Sequence, residues 1–288
     1  MQDELQRMQV SMELKGFAQN TQKTYLGHVR RFSTFCNKPL TETNFDDVRN
    51  FLYDAIHNRK LSGMFVDSNY AAIKFLFRFV FNRKWDIQEV PRLKRKIFLP
   101  EILTREEVFA IINSIPNLKH KAMLSTTYAS GLRVNELVHL KISDIDSKNM
   151  RIFVHQGKGG KDRYTILSRN NLTILREYFK IFRPSEWLFP GAIPTNPIST
   201  RTPQIVFKDA VTHLGITKKV SIYTLRHCFA THLLNAGASI LSIKDLLGHG
   251  SIETTCKYLH LTHSQILGFK SPFDDGGNVK KGAVDPRP

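Results

Sequence analysis

The stretch that most restricts the fold is "SNYAAIKFLFRFVFNRKW", residues 68–85, which is apolar nearly all the way round a helix. Such a helix can turn no side to water, so it belongs at the centre of a bundle or against another subunit. The residues before it supply a bundle. "NTQKTYLGHVRRFSTFC" (20–36) sets Tyr25, Val29, Phe32 and Phe35 on one face at three- and four-residue steps, with Thr21 as the expected cap, and "NFDDVRNFLYDAIHN" (44–58) reads as another helix. Then the pattern stops. "VPRLKRKIFLP" (90–100) sets two prolines around four basic residues and reads as an interdomain linker.

Beyond the linker a second domain is expected. "LTREEVFAIINSIP" opens a helix with Thr104 as cap and Glu107 at capping-box spacing. "KAMLSTTYASGLRVNELVHL" gives two helices broken at Gly131, and "MRIFVHQGKGGKDRYTIL" is a hairpin whose strand-like arms flank a Gly-rich turn. Helical patterns return through "NNLTILREYFKIF", "TPQIVFKDAVTHLG", "TLRHCFATHLLNAG" and "SILSIKDLLGH". The fold class is therefore mainly α with a small β-hairpin or sheet, in two domains: residues 1–90, a linker over 91–100, and residues 101–273. The tail 274–288, "DDGGNVKKGAVDPRP", has little to bury and is expected to be disordered.

Charge narrows the function. Lys plus Arg number 42 against 25 Asp plus Glu, a net +17, in a chain whose 41% hydrophobic content is that of a folded protein. Basic charge on folded domains suits an anionic polymer, because neutralised phosphates release counterions. A membrane surface is the weaker reading and none is expected as partner: the start "MQDELQRMQV" is mixed-charge and polar, not a signal peptide, and no apolar run approaches the ~18–20 residues of a span. Cys36, Cys228 and Cys256 are odd in number and far apart, which points to neither disulfides nor zinc but to a reducing, cytosolic compartment.

Several side chains stand where helices or turns begin. Arg133 follows the Gly131 break, with Glu136 three residues on to hold its guanidinium. Lys158 sits in the hairpin turn, Arg226 and His227 in "YTLRHCF", and His249 closes "LLGH". With Ser251 capping a helix, Ile252, Cys256 and Leu259 form its apolar stripe and Tyr258 points away from it, poorly placed for packing. Taken singly, each has a plain explanation: a surface ion pair for Arg133 and Glu136, a solvated turn for Lys158, a satisfied core residue for His227, a surface tyrosine for Tyr258. Together they offer phosphoryl chemistry. Two arginines can hold the non-bridging oxygens of a phosphodiester, a tyrosine can attack phosphorus, a lysine can protonate the departing 5′ oxygen, and a histidine can donate to the phosphate or shuttle a proton. No carboxylate pair of the two-metal kind is offered, and no metal or cofactor is expected.

"SGLRVNELVHLKISDID", "GKGGKDRYTIL" and "TLRHCFATHLLNAGASILSIKDLLGHGSIETTCKYLHL" resemble, in order and spacing, the signature blocks of the tyrosine recombinase (phage integrase) family, especially its compact Xer-like and integron-integrase-like members. "NTQKTYLGHVRRFSTFC" is similar to that family's helical, SAM-like core-binding domain and "FLPEILTREEV" to the entry of its catalytic domain. The resemblance implies Arg133 and Arg226 as the paired arginines, Lys158 as the hairpin lysine, His249 as the second histidine, Tyr258 as nucleophile, and Glu136 as the acidic support, with His227 beside them. It implies a two-domain clamp on double-stranded recombination sites. Candidate DNA contacts are Lys23, Arg30 and Arg31, the linker's Arg92, Lys94, Arg95 and Lys96, and Lys161 and Arg163 of the hairpin.

One position departs. Where the family has HxxR, this chain has "YTLR", with Tyr223 in place of histidine, and a tyrosine is a poor base at neutral pH although its hydroxyl still hydrogen-bonds. The resemblance further implies a homotetramer that exchanges strands through a Holliday junction and a 3′-phosphotyrosyl intermediate, without metal or ATP, with accessory DNA-bending proteins as possible partners and Ile266, Leu267 and Phe269 available to dock on a neighbouring protomer. A type IB topoisomerase-like relaxing enzyme and a noncatalytic DNA-binding protein of the same fold are the alternatives.

Overall fold

The computed structural model describes residues 2–93, 100–155 and 162–259. The linker residues Lys94, Arg95 and Lys96, the turn residues Lys158 and Lys161, and the segment 260–288, with Ile266, Leu267, Phe269 and the tail, lie outside the described residues. The chain is mainly helical with one small sheet, and it divides into two compact units, residues 1–98 and 99–288.

The first unit holds α1 (Gln2–Leu14), α2 (Gln19–Cys36), α3 (Phe45–His57) and α4 (Gly63–Phe79). The all-round apolar segment supplies most of α4, which starts earlier, at Gly63, and ends at Phe79 rather than running on to Trp85; α4 packs against the other three and buries Val66, Tyr70, Ile73, Leu76 and Phe77 among Met8, Met12, Val29, Phe32 and Phe51. Local chemistry sets the helix starts. Asn44 and Asp47 close a reciprocal capping box on α3, and the Ser62 hydroxyl accepts the Phe65 N–H on α4. α2 begins two residues before Thr21, capped at Ala18 without a side-chain bond, because the Gln22 side chain turns back to the Phe17 carbonyl and sets the entry. Its buried stripe runs Gln22, Leu26, Val29 and Phe32, and Phe35 falls at the edge with its ring on Phe51. Past α4, Trp85 donates to the Tyr70 hydroxyl (2.9 Å), and Arg92 makes two bonds, of 2.6 and 3.0 Å, to the buried carboxylate of Asp67.

In the second unit α5 (Arg105–Asn113) starts with the Thr104–Glu107 capping box, and α6 (Leu118–Ser130) runs through the middle. α6 ends at Gly131 in the left-handed region (φ 63°), where a Cβ would overlap the Phe229 ring, so this turn requires glycine. After α7 (Val134–Val138) come β1 (Ile145–Asp146), β2 (Arg151–Val154) and β3 (Arg163–Ile166), an antiparallel sheet in sequence order. Ile152 pairs with Thr165 and Val154 with Arg163; Ile152, Val154 and Thr165 point inward, and Thr165 donates to the Ser130 carbonyl at the end of α6. α8 (Arg169–Phe182), α9 (Arg201–His213), α10 (Ile222–Asn235), α11 (Ile240–Leu247) and the four-residue α12 (Glu253–Cys256) complete the unit. α10 and α8 flank α6, and α11 lies against α10 and β3, so the end of α6, the start of α7, β3 and the end of α11 converge on one place.

Candidate active site

At that convergence Glu136 is the anion around which the site is built. The Arg133 backbone N–H and guanidinium donate to its two oxygens (2.8 and 2.7 Å), as the three-residue spacing predicts. Arg163 grips both oxygens side by side at 2.9 and 2.8 Å, and the Arg226 Nη1 lies 3.7 Å from Oε2. Burial opposes the carboxylate, but Arg163 first and Arg133 with it outweigh that and hold its pKa down at about 2. Arg163 was expected to touch DNA. Instead its side chain is buried and spent, with Nε on the Leu246 carbonyl (2.9 Å) and both terminal nitrogens on Glu136, because the inward-facing end of β3 carries it beneath α11. Gly248, left-handed at φ 63°, leaves room for it: a Cβ there would stand 2.8 Å from the Arg163 Cδ.

Arg226 is the more deeply buried of the paired arginines. It donates to the Gly131 and Leu247 carbonyls, both at 2.6 Å, the free acceptors where α6 and α11 end. Burial, then the charge of Arg133, presses its pKa down to about 9. Three guanidiniums share one carboxylate, so the cluster carries two uncompensated positive charges, and binding an anion there relieves the cost of burying them.

His249 adjoins the cluster. Its Nε2 lies 3.2 Å from the Arg226 Nη2 and its Nδ1 2.8 Å from the Thr255 hydroxyl. A guanidinium only donates, so Nε2 accepts and Nδ1 carries the proton. Burial, followed by the charges of Arg226 and Arg133, takes this imidazole down to about 3. Thr255, fully buried, was not singled out from the sequence; only its place between His249 and Tyr258 pointed to it.

Tyr258 is buried, 1% exposed, among Phe229, Leu234, Ile243 and Leu247, whereas Ile252 and Leu259 of the expected stripe are 39% and 42% exposed. The expectation that Tyr258 points away from the core is thus reversed. It presumed a continuous helix at 100° per residue; α12 is one turn long, and the chain then tightens, with the Tyr258 N–H on the Thr255 carbonyl three residues back. The cap is Ile252 rather than Ser251, whose hydroxyl accepts the Glu253 N–H. The Tyr258 ring lies parallel to that of His249, 6.5 Å away, and its hydroxyl is 3.0 Å from His227 Nδ1. Burial raises the phenol to about 12, against the pull of Arg226 and Arg133. His227, expected as a satisfied core residue, is half-buried, and burial lowers it to about 4.

Tyr223, at the start of α10, is half-exposed. Lys23, Arg30 and Arg31 lie exposed on α2, the Arg31 Nη1 3.3 Å from His28 Nδ1. Among the described residues, no group of three or more His, Cys, Asp or Glu is arranged to hold a metal, and no helix is long and apolar enough to cross a membrane.

A mainly helical two-unit chain with a buried arginine cluster beside a histidine and a tyrosine is the kind of protein that receives a phosphate or another anion. Residues 101–265 match the Phage integrase family, and residues 5–87 match the Phage integrase, N-terminal SAM-like domain. The chain is 39% identical over 270 residues to y4qK of Sinorhizobium fredii, named as an integrase/recombinase, covering 93% of this chain and 88% of that one. It is 27% identical to tyrosine recombinase XerC of Staphylococcus saprophyticus (88% and 90% covered). Among solved structures, XerA recombinase matches at 29% identity with a TM-score of 0.54 (92% and 96% covered). A lambda integrase dimer bound to a core site shares the fold at 19% identity, with a TM-score of 0.72 (88% and 96% covered). The chain belongs to the phage integrase family, the tyrosine recombinases, enzymes of site-specific DNA recombination.

Proposed function

We propose that Tyr258 attacks the phosphorus of a scissile phosphodiester, forming a 3′-phosphotyrosyl ester and releasing a 5′ hydroxyl. Arg133 and Arg226 hold the non-bridging oxygens and stabilise the charge that builds on them, Glu136, itself gripped by Arg163, orients Arg133, the Gly131 and Leu247 carbonyls hold Arg226, and Lys158 protonates the leaving oxygen. His249 reaches the phosphate through Nε2: the arriving anion offsets the Arg226 charge that opposes its protonation. The observation that carries this reading is the uncompensated charge of three guanidiniums on the Glu136 carboxylate, 9% exposed, with His249 and Tyr258 beside it.

Residues 1–90 act as the core-binding domain and 101–273 as the catalytic domain, gripping a duplex half-site. Lys23, Arg30 and Arg31 take phosphates, and Lys94, Arg95, Lys96 and Lys161 join them. Four protomers on two sites exchange strands through a Holliday junction. Bond energy is kept in the phosphotyrosine, so exchange consumes no ATP. The S. fredii and S. saprophyticus relatives, named as recombinases over nearly the whole chain, support recombination over simple relaxation.

The test is a nicked suicide duplex that traps the covalent intermediate. Wild-type protein yields an adduct whose tryptic peptide contains Tyr258, and Tyr258→Phe yields none while still binding DNA. An adduct in the Phe variant, or on the peptide holding Tyr223, refutes the assignment. Plasmids with one or two sites then separate recombinants from relaxed circles.

A further inference from the structure

Attack by Tyr258 requires its phenolic proton to leave, and the proton's first stop is a group within hydrogen-bond reach of Oη. Among the described residues that group is His227, with Nδ1 at 3.0 Å and the rings 5.7 Å apart at 52°. The neighbours are unsuited. His249 uses one nitrogen on Arg226 and the other on Thr255. Glu136 is occupied by guanidiniums, and Lys257, 5.3 Å from the Tyr258 ring centre, is a cation. Tyr223 lies one turn earlier than His227 on α10, but it is half-exposed and itself a phenol.

We propose that His227, through Nδ1, is the catalytic proton acceptor for Tyr258, an assignment that rests on Tyr258 being the nucleophile. His227 keeps its own proton on Nε2, so that Nδ1 presents a lone pair to the hydroxyl. In the resting protein the proton stays on oxygen, since burial holds the phenol near 12 and the imidazole near 4. Transfer is therefore coupled to attack. The acidity of Oη rises as it bonds to phosphorus, and the phosphate charge offsets Lys257 and Arg226, the cations that add to burial in holding His227 neutral. The Oη–P bond forms as the P–O5′ bond breaks, the phenolic proton passes to Nδ1, and the 5′ oxygen takes a proton from Lys158. Rejoining reverses each transfer, with Nδ1–H returning its proton to Oη. The contact also explains why a nucleophile buried in its own core can be ready: the group that stores the hydroxyl is the one that deprotonates it.

The experiment is single-turnover cleavage of the nicked suicide duplex by the full chain, with Tyr258 or a series of fluorinated, more acidic tyrosines at position 258, in the wild type and in His227→Asn. Asn keeps a hydrogen-bonding atom near the Nδ1 position but takes no proton. His227→Asn is expected to slow cleavage roughly 100- to 10,000-fold with DNA affinity unchanged, and the most acidic phenol to return the rate to within about tenfold of wild type. In the wild-type chain the rate should depend only weakly on phenol acidity. The proposal is overturned by an Asn variant that cleaves at the wild-type rate, by a deficit that acidic phenols leave untouched, or by a wild-type rate that rises in full proportion to phenol acidity. The last reading needs no variant to fold. If wild type forms no adduct on Tyr258, the nucleophile assignment falls as well; an adduct on Tyr258 with His227→Asn unimpaired removes this proposal alone.

Discussion

Replacing Glu136 with Gln keeps the side chain's shape and removes the charge that three guanidiniums share. The carboxyl titrates at about 2 in the folded chain against an ordinary 4.5, and its side chain is only 6% exposed, so solvent does little to screen it. A folded pKa below the unfolded one gives stability that is complete above pH 4.5 and lost as pH falls toward 2. The gap is worth about 3 kcal/mol at pH 7, of which about 2 kcal/mol is gone by pH 3. Leaving the buried guanidiniums without their anion adds to this, and removing one partner of a buried pair costs about 3–5 kcal/mol in all. Glu136→Gln should therefore unfold in urea with about 3–5 kcal/mol less stability at pH 7, read from the fluorescence of Trp187 in the same unit. The deficit should narrow by about 2 kcal/mol at pH 3, where the wild-type carboxylate is itself being lost. Sulfate should also narrow it, because an anion among the arginines replaces the missing charge. A variant within about 1 kcal/mol of wild type at pH 7, or a deficit that does not change between pH 7 and pH 3, would refute the view that Glu136 holds the cluster together.

Gly131→Ala meets both a left-handed backbone and the Phe229 ring, and should cost at least about 2 kcal/mol in urea unfolding, whereas glycine-to-alanine at an unstrained site is neutral or stabilising. Arg92→Gln removes two charged hydrogen bonds from the buried Asp67 carboxylate; it should lower the thermal midpoint of the first unit while leaving the slope of log affinity against log salt nearly unchanged, and a slope reduced by about 1 would make Arg92 a phosphate contact instead. Lys23→Gln or Arg30→Gln should do the reverse, flattening the salt slope by about 1 each with stability unaltered. Arg133→Ala should slow adduct formation by about 100- to 1,000-fold with a much smaller loss of DNA affinity; an equal loss in both would mean that the arginine binds ground and transition states alike.

What the sequence by itself determined here is what neighbours in the chain decide. The apolar circumference of α4, the Thr104–Glu107 box, the break at Gly131 and the Arg133–Glu136 pair all rest on residues within about one turn of each other, and the hairpin arms on strands that follow one another in the chain, so backbone geometry fixes who meets whom. The signature blocks likewise named Arg226, His249 and Tyr258 as belonging together. The tertiary structure alone decided their arrangement. Arg163 stands 27 residues from Glu136, and nothing local says that β3 will slide it under α11 and away from solvent. Arg226 finds its acceptors at Gly131 and Leu247 because two helices happen to end beside it. Tyr258 shows where periodicity fails: a helix of one turn has too few hydrogen bonds to hold its phase, so the packing against Phe229 and Leu247, and a bond to His227 from 31 residues away, set where the ring goes.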